Sequence, residues 1–194
     1  MGHQCGTWRL RAAYGEAIFK SWLQPLRLAD VKNGQVMITV PTRFMREWIL
    51  AETNYGLVKG HPYDVAVLPL GATEPHNLHL PYGTDAFEGE AIGSRACELA
   101  WHRGAKVVLL PTMPYGTETN MMEFPLAMNL NPSTLTRVIT DIVNSLAKHK
   151  VLKLVILNSH GGNDFKPVLR ELTDKTPVKM FLCEWYRGMA SDLT

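Results

Sequence analysis

Two rhythms of apolar and polar positions run along this chain, and they change near residue 50. Leu10, Ala13, Ala17, Ile18 and Leu23 recur at helical spacing, which predicts a helix over Leu10 to Leu23 that Pro25 ends. Two short β-prone runs follow, Leu26 to Val31 and Gln35 to Val40. They flank Asn33-Gly34, a dipeptide suited to the positive φ angles of a tight hairpin turn. Pro41-Thr42 then opens a short predicted helix through Phe44, Trp48 and Ile49. This helix–hairpin–helix α+β segment makes a very small core, marginal when isolated because it can bury so little surface.

From Asp64 the rhythm becomes strand, loop, helix, repeated. Val65 to Leu70, Lys106 to Leu110, Leu152 to Leu157 and Val178 to Cys183 are short apolar runs of the kind that lie in a parallel sheet covered on both faces. Helices are predicted between and after them, over Asp85 to Arg103, Pro132 to Lys150 and Asp164 to Asp174. Alternation of this kind predicts an α/β fold with a mainly parallel sheet and right-handed crossovers. The reading divides the chain into a segment of residues 1–50 and a domain of residues 51–194.

Composition narrows the function classes. With 46% hydrophobic and 20% charged residues over 194 positions, the chain has material for a real core. No run reaches the roughly 20 apolar residues of a membrane span, and the N-terminus lacks the apolar stretch of a signal peptide, so a cytoplasmic protein is expected. The net charge of +2 gives no reason to expect nucleic acid or an anionic membrane as partner. Cys5, Cys97 and Cys183 are odd in number and far apart, and are expected to be reduced core thiols.

Ligands of a parallel sheet bind at the carboxyl ends of its strands, and the loops there hold the unusual chemistry. Gly71 to Asp85 contains Glu74, His76, His79 and Asp85; Pro111 to Asn120 contains Glu118; Asn158 to Asn163 reads NSHGGN, with His160. Glu74 and His76 are two apart, so an extended backbone turns both to one side, and oxygen with imidazole donors suits a divalent ion. Asp85 has two oxygens with which to bridge a pair of ions. For His79, followed by Leu80-Pro81, a structural role is the expectation. Asn158 and Asn163 are expected to orient ligands or substrate through their amides.

The runs LPLGATEPHNLHLPYGTD, LLPTMPYGTETN and LVILNSHGGND resemble the creatininase (creatinine amidohydrolase) family, in that family's order, over about Glu52 to the end. The resemblance implies a three-layer α/β/α sandwich and a homo-oligomeric amidohydrolase that cleaves a C–N bond of a small cyclic amide or formamide-type substrate. It also implies two divalent ions, zinc, manganese or iron. Glu74, Asp85 and His160 would hold one ion, and His76 with bridging Asp85 the other. Glu118, or Glu74 if free of metal, would move a proton to the leaving nitrogen, with Asn158 beside it. The chain departs from creatininase itself at Gly162, where that enzyme has a glutamate ligand. Members with Gly-Gly use a later His-Ala-Gly-Glu segment, absent before Thr194, so the expectation is a C-terminally shortened domain. Glu184 or a neighbouring subunit would have to supply the missing ligand.

Residues of the first segment, YGEAIFKSWLQPL and VPTRFMREWI, resemble the N-terminal domain of the bacterial replication initiator DnaA, a protein-contact module. Besides the amidohydrolase, two alternatives stay open: a weakly active metal-binding protein of the same fold, or a DnaA-like interaction module with a passive α/β tail. The latter would lose a protein partner on changes at Trp22, Phe44 or Trp48.

Overall fold

The computed structural model describes residues 27–32, 35–39 and 46–189; the predicted helix over Leu10 to Leu23 and most of that over 41–49 lie outside them. Packing divides the chain into two compact units, residues 1–46 and 47–194. In the first, β1 (Arg27–Lys32) and β2 (Gln35–Thr39) form an antiparallel hairpin whose register closes at Lys32 opposite Gln35. The turn expected at Asn33-Gly34 lies outside the described residues.

The second unit carries a parallel sheet of β3 (Val65–Leu70), β4 (Val107–Leu109), β5 (Lys153–Asn158) and β6 (Lys179–Glu184), in spatial order β4-β3-β5-β6. Its helices are α1 (Tyr55–Gly60), α2 (Thr84–His102), α3 (Pro132–Lys148), α4 (Lys166–Leu172) and α5 (Trp185–Met189). The strands' two-residue period sorts side chains into two cores. Ala66, Leu68, Leu70, Leu154 and Ile156 bury against Leu135, Ile139 and Val143 of α3 and Val168 and Leu172 of α4. On the opposite face, Val65, Val67 and Leu109 meet Cys97, Ala100 and Trp101 of α2. The result is the three-layer α/β/α sandwich. No helix among the described residues is long and apolar enough to cross a membrane.

Helix α2 shows why the strand ends converge. Its buried stripe is Asp85, Gly89, Gly93 and Cys97, small residues four apart that bring the helix axis close to the sheet. Gly71, just past β3, lets the helix start approach, because a Cβ there would lie 2.5 Å from the Ala86 nitrogen. Asp85 is thereby pinned beside the end of β3.

Three local expectations are corrected. Trp48 and Ile49, expected in a helix, are a turn residue and an extended bridge: Ile49 pairs in parallel with Leu109, and the Leu109 amide donates to the Trp48 carbonyl at 2.7 Å. The exposed edge of three-residue β4 attracts this backbone, and the Trp48 ring packs 5.7 Å from that of Trp101. Strand β6, expected to be covered on both faces, lies at the edge of the sheet among the described residues, with Phe181 53% exposed. Cys183, on that same open face, is exposed, whereas Cys97 is buried and its thiol is pushed up to about 11 by burial.

Helices α2 and α3 end in the same motif, with one informative difference. After α2, Gly104 at φ 86° donates to Trp101 O and Ala105 to Ala100 O; after α3, Lys150 at φ 61° donates to Ala147 O and Val151 to Leu146 O. Both are Schellman closures, which call for a left-handed residue. Lysine bears a Cβ penalty there that glycine does not. Lys150→Gly is therefore expected to stabilise the protein by about 0.5–1 kcal/mol in urea unfolding.

Candidate metal centre

Strand order reverses between β3 and β5, because the chain runs outward to β4 and then returns across β3 to start β5. Such a switch point is where parallel sheets open a crevice at their carboxyl ends. Glu74, His76 and Asp85 follow β3, and His160 follows β5. His76 Nε2 lies 2.8 Å from Asp85 Oδ1 and 3.8 Å from Glu74 Oε1. His160 Nδ1 lies 2.9 Å from Asp85 Oδ2 and 3.1 Å from Glu74 Oε1. One donor atom each from Glu74, Asp85 and His160 falls within 4.8 Å of the others.

His160 has its other nitrogen on the β4 loop. Nε2 lies 3.2 Å from the Thr117 carbonyl and 2.6 Å from Glu118 Oε1. A carbonyl only accepts, so Nε2 carries the hydrogen. The neutral ring then points its Nδ1 lone pair at two carboxylates, a repulsive arrangement unless a cation or proton lies between. Buried Asp85 Oδ2 and both Glu118 oxygens also lack an aligned hydrogen-bond donor. These are the marks of a centre that fits a divalent ion. Burial disfavours the His160 imidazolium, but Asp85, Glu118 and Glu74 outweigh it and raise the pKa. Glu118 is pushed up to about 8, by burial first and then by Glu74, against the pull of His160.

The remaining residues of the sequence reading fall into place around this cluster. Asn158 is fully buried, with its Oδ1 accepting from the His160 amide and from Asn163 Nδ2, and its Nδ2 donating to Tyr186 Oη at 3.4 Å. Asn163 is buried as well. His79 is exposed on its loop and stands in neither core nor cluster, which corrects the structural role expected of it. Glu184 is held by Arg187 at 3.0 Å and Tyr186 Oη at 3.3 Å, so it is already paired at the end of β6. Trp185 packs onto the site loop, donating from Nε1 to Ser159 Oγ at 3.0 Å.

Two contributors were beyond sequence reasoning. The Thr117 carbonyl carries no side-chain signal, and Asn129, whose Oδ1 accepts from the Glu118 amide at 2.8 Å, lies eleven residues from it. They are linked because the loop closes on itself, with the Leu130 amide donating to Gly116 O at 2.7 Å. Apolar side chains crowd the outside of the two joined loops: Leu78, Phe87, Met122, Phe124 and Leu126 are 49–100% exposed, and Tyr82 Oη donates to the Pro125 carbonyl.

The carboxylate–imidazole cluster thus stands at the switch point of a three-layer α/β sandwich, on the loops where such sheets bind their ligands. Residues 55–192 match the family model described as creatinine amidohydrolase, and the chain belongs to the creatininase family. A creatinine amidohydrolase of Pseudomonas putida is 33% identical over 104 residues, which cover 51% of this chain and 38% of that protein. The crystal structure of a candidate creatinine amidohydrolase from Bacteroides fragilis is 39% identical, with a TM-score of 0.70, over 73% of this chain and 57% of that one. The fold is shared with a creatininase described with Mn, 24% identical with a TM-score of 0.59, over 73% of this chain and 60% of that one. This chain thus spans 38–60% of the length of these relatives. Residues 7–56 match the model of the DnaA N-terminal domain, and DnaA of a Wolbachia from Brugia malayi is 53% identical over 36 residues, 19% of this chain and 8% of that protein.

Proposed function

We propose that the α/β unit is a divalent-metal-dependent amidohydrolase that cleaves a C–N bond of a small cyclic amide or formamide-type substrate. The convergence of Glu74, Asp85 and His160, with a buried Asp85 oxygen that no aligned donor satisfies, carries this reading. These three would hold one zinc, manganese or iron ion, and His76 with the other Asp85 oxygen would hold a second. A bound ion supplies Lewis acidity toward a carbonyl and lowers the pKa of a water from about 15.7 toward about 7.

The chain's own groups do the rest. Asp85 is shared by the two imidazoles, which fixes both rings against one carboxylate. Glu118, whose buried carboxyl favours its protonated form, is the group proposed to give a proton to the leaving nitrogen. Asn158 has no amide group to spare for substrate and holds the His160 loop. The apolar side chains of Leu78, Phe87, Met122, Phe124 and Leu126 are exposed on this rim, and clustered exposed apolar side chains are the mark of an association surface. A second copy of this chain is its proposed occupant.

Creatinine and N-formyl compounds are the first substrates to try, in protein stripped with a chelator and then reloaded. Hydrolysis lost on stripping and restored by zinc or manganese is expected. Hydrolysis that survives complete stripping would refute the metal-dependent reading. The match over residues 7–56 favours a second activity, protein contact through the DnaA-like segment, which would persist when Glu74, Asp85 and His160 are all replaced.

A further inference from the structure

The geometry points to Asn163 as a positioning residue that sets the direction in which His160 presents its donor nitrogen. Asn163 is 3% exposed and its amide is fully used. Oδ1 accepts from the Thr117 amide at 3.0 Å, and Nδ2 donates to Asn158 Oδ1 at 3.2 Å and to the Gly71 carbonyl at 3.4 Å. One side chain therefore ties together the loops that follow β3, β4 and β5. The Thr117 peptide that it grips presents its carbonyl to His160 Nε2 at 3.2 Å, and the Asn158 oxygen that it grips accepts from the His160 amide at 3.2 Å. Ring and backbone of His160 are both held by groups that Asn163 holds.

The consequence is chemical as well as mechanical. The Thr117 carbonyl keeps the hydrogen on Nε2, which leaves Nδ1 as the free donor, facing Glu74 and Asp85. Without Asn163 the Thr117 peptide can rotate, and the ring can flip or exchange its hydrogen between nitrogens. The close approach is built into the loop: a Cβ on Gly116 would lie 2.7 Å from Asn163 Oδ1, so the grip requires glycine at that position. Asn163 thus acts on the donor set without belonging to it.

This inference rests on the metal-centre reading, and its test separates the two. Zinc affinity of the stripped protein is measured by competition with a chromophoric chelator, for wild type, Asn163→Ala and Asn163→Asp. The nitrogen of His160 that binds zinc is read by ¹⁵N NMR of the loaded proteins. Asn163→Ala is expected to bind zinc about 10–100-fold more weakly, the range for loss of a group that orients a ligand, and to lose the single Nδ1-bound form. Asn163→Asp keeps the acceptor for the Thr117 amide, so it should retain Nδ1 binding and more of the affinity, and it serves in place of the alanine variant if that does not fold. Wild-type affinity and unchanged Nδ1 binding in folded Asn163→Ala would overturn the positioning role. Absence of zinc binding by wild type would instead overturn the metal centre.

Discussion

Placing a glutamate at position 162, where creatininase itself has one, is expected to destabilise this protein rather than complete a second ion site. A Cβ on Gly162 would lie 2.5 Å from the Thr117 carbonyl and would run into His160 Nε2 as well. Neither neighbour can give way. Thr117 is gripped by Asn163, and His160 is buried between Asp85 and Glu118. Gly162→Glu should cost about 2–4 kcal/mol, the scale of forcing atoms into a packed site. In thermal unfolding that corresponds to a fall of roughly 5–15 °C. Zinc affinity should fall with it, since His160 must move. A variant with wild-type melting and one additional ion per chain would show that the loop accepts the side chain.

Asp85→Asn should abolish tight metal binding while leaving the stripped protein folded. Asp85 is 6% exposed and touches both imidazoles, His76 at 2.8 Å and His160 at 2.9 Å. Asparagine keeps the shape and removes the charge. Were the cluster a purely structural ion pair, breaking it would cost about 3–5 kcal/mol. The cluster, however, crowds three carboxyls, Glu74, Asp85 and Glu118, around two histidines, and after burial it is Glu74 and Asp85 that help to push the Glu118 pKa up. Stripped Asp85→Asn is therefore expected to match or exceed wild-type stability, in the way that functional sites often trade stability for activity. Its zinc affinity should fall by more than the ~100-fold that marks loss of an outer partner, and hydrolysis should drop to background. A large loss of stability with metal affinity retained would assign Asp85 a structural role.

The sandwich was legible in the sequence because buried parallel strands are apolar runs and little else. VAVLPL marks β3 to the residue, and the remaining runs differ from β4, β5 and β6 by one residue at each end. The acids and histidines of the site were legible for the same reason: in a parallel sheet the strand ends fix which loops share the crevice. What the pattern hid was of a different kind. That β6 lies at the edge among the described residues follows from strand order, which no local run encodes. Trp48 and Ile49 look helical by spacing, but they are drawn to the open side of β4 by a backbone pairing across sixty residues. The grip of Asn163 on Thr117 spans 46 residues and runs through backbone atoms, which leave no mark on residue type. Gly162 stood out only as a departure from the family motif. The structure supplies its physical reason, in the contact its missing side chain would make.

The central claim is that Glu74, Asp85 and His160 together hold a divalent ion. Elemental analysis of the intact protein, after loading with zinc and removal of the excess, tests it most directly when His160→Ala is treated in parallel. At least one ion per wild-type chain, and none retained by a folded His160→Ala, is the predicted result. Equal metal content in the two proteins, or none in either while both are folded, would contradict it.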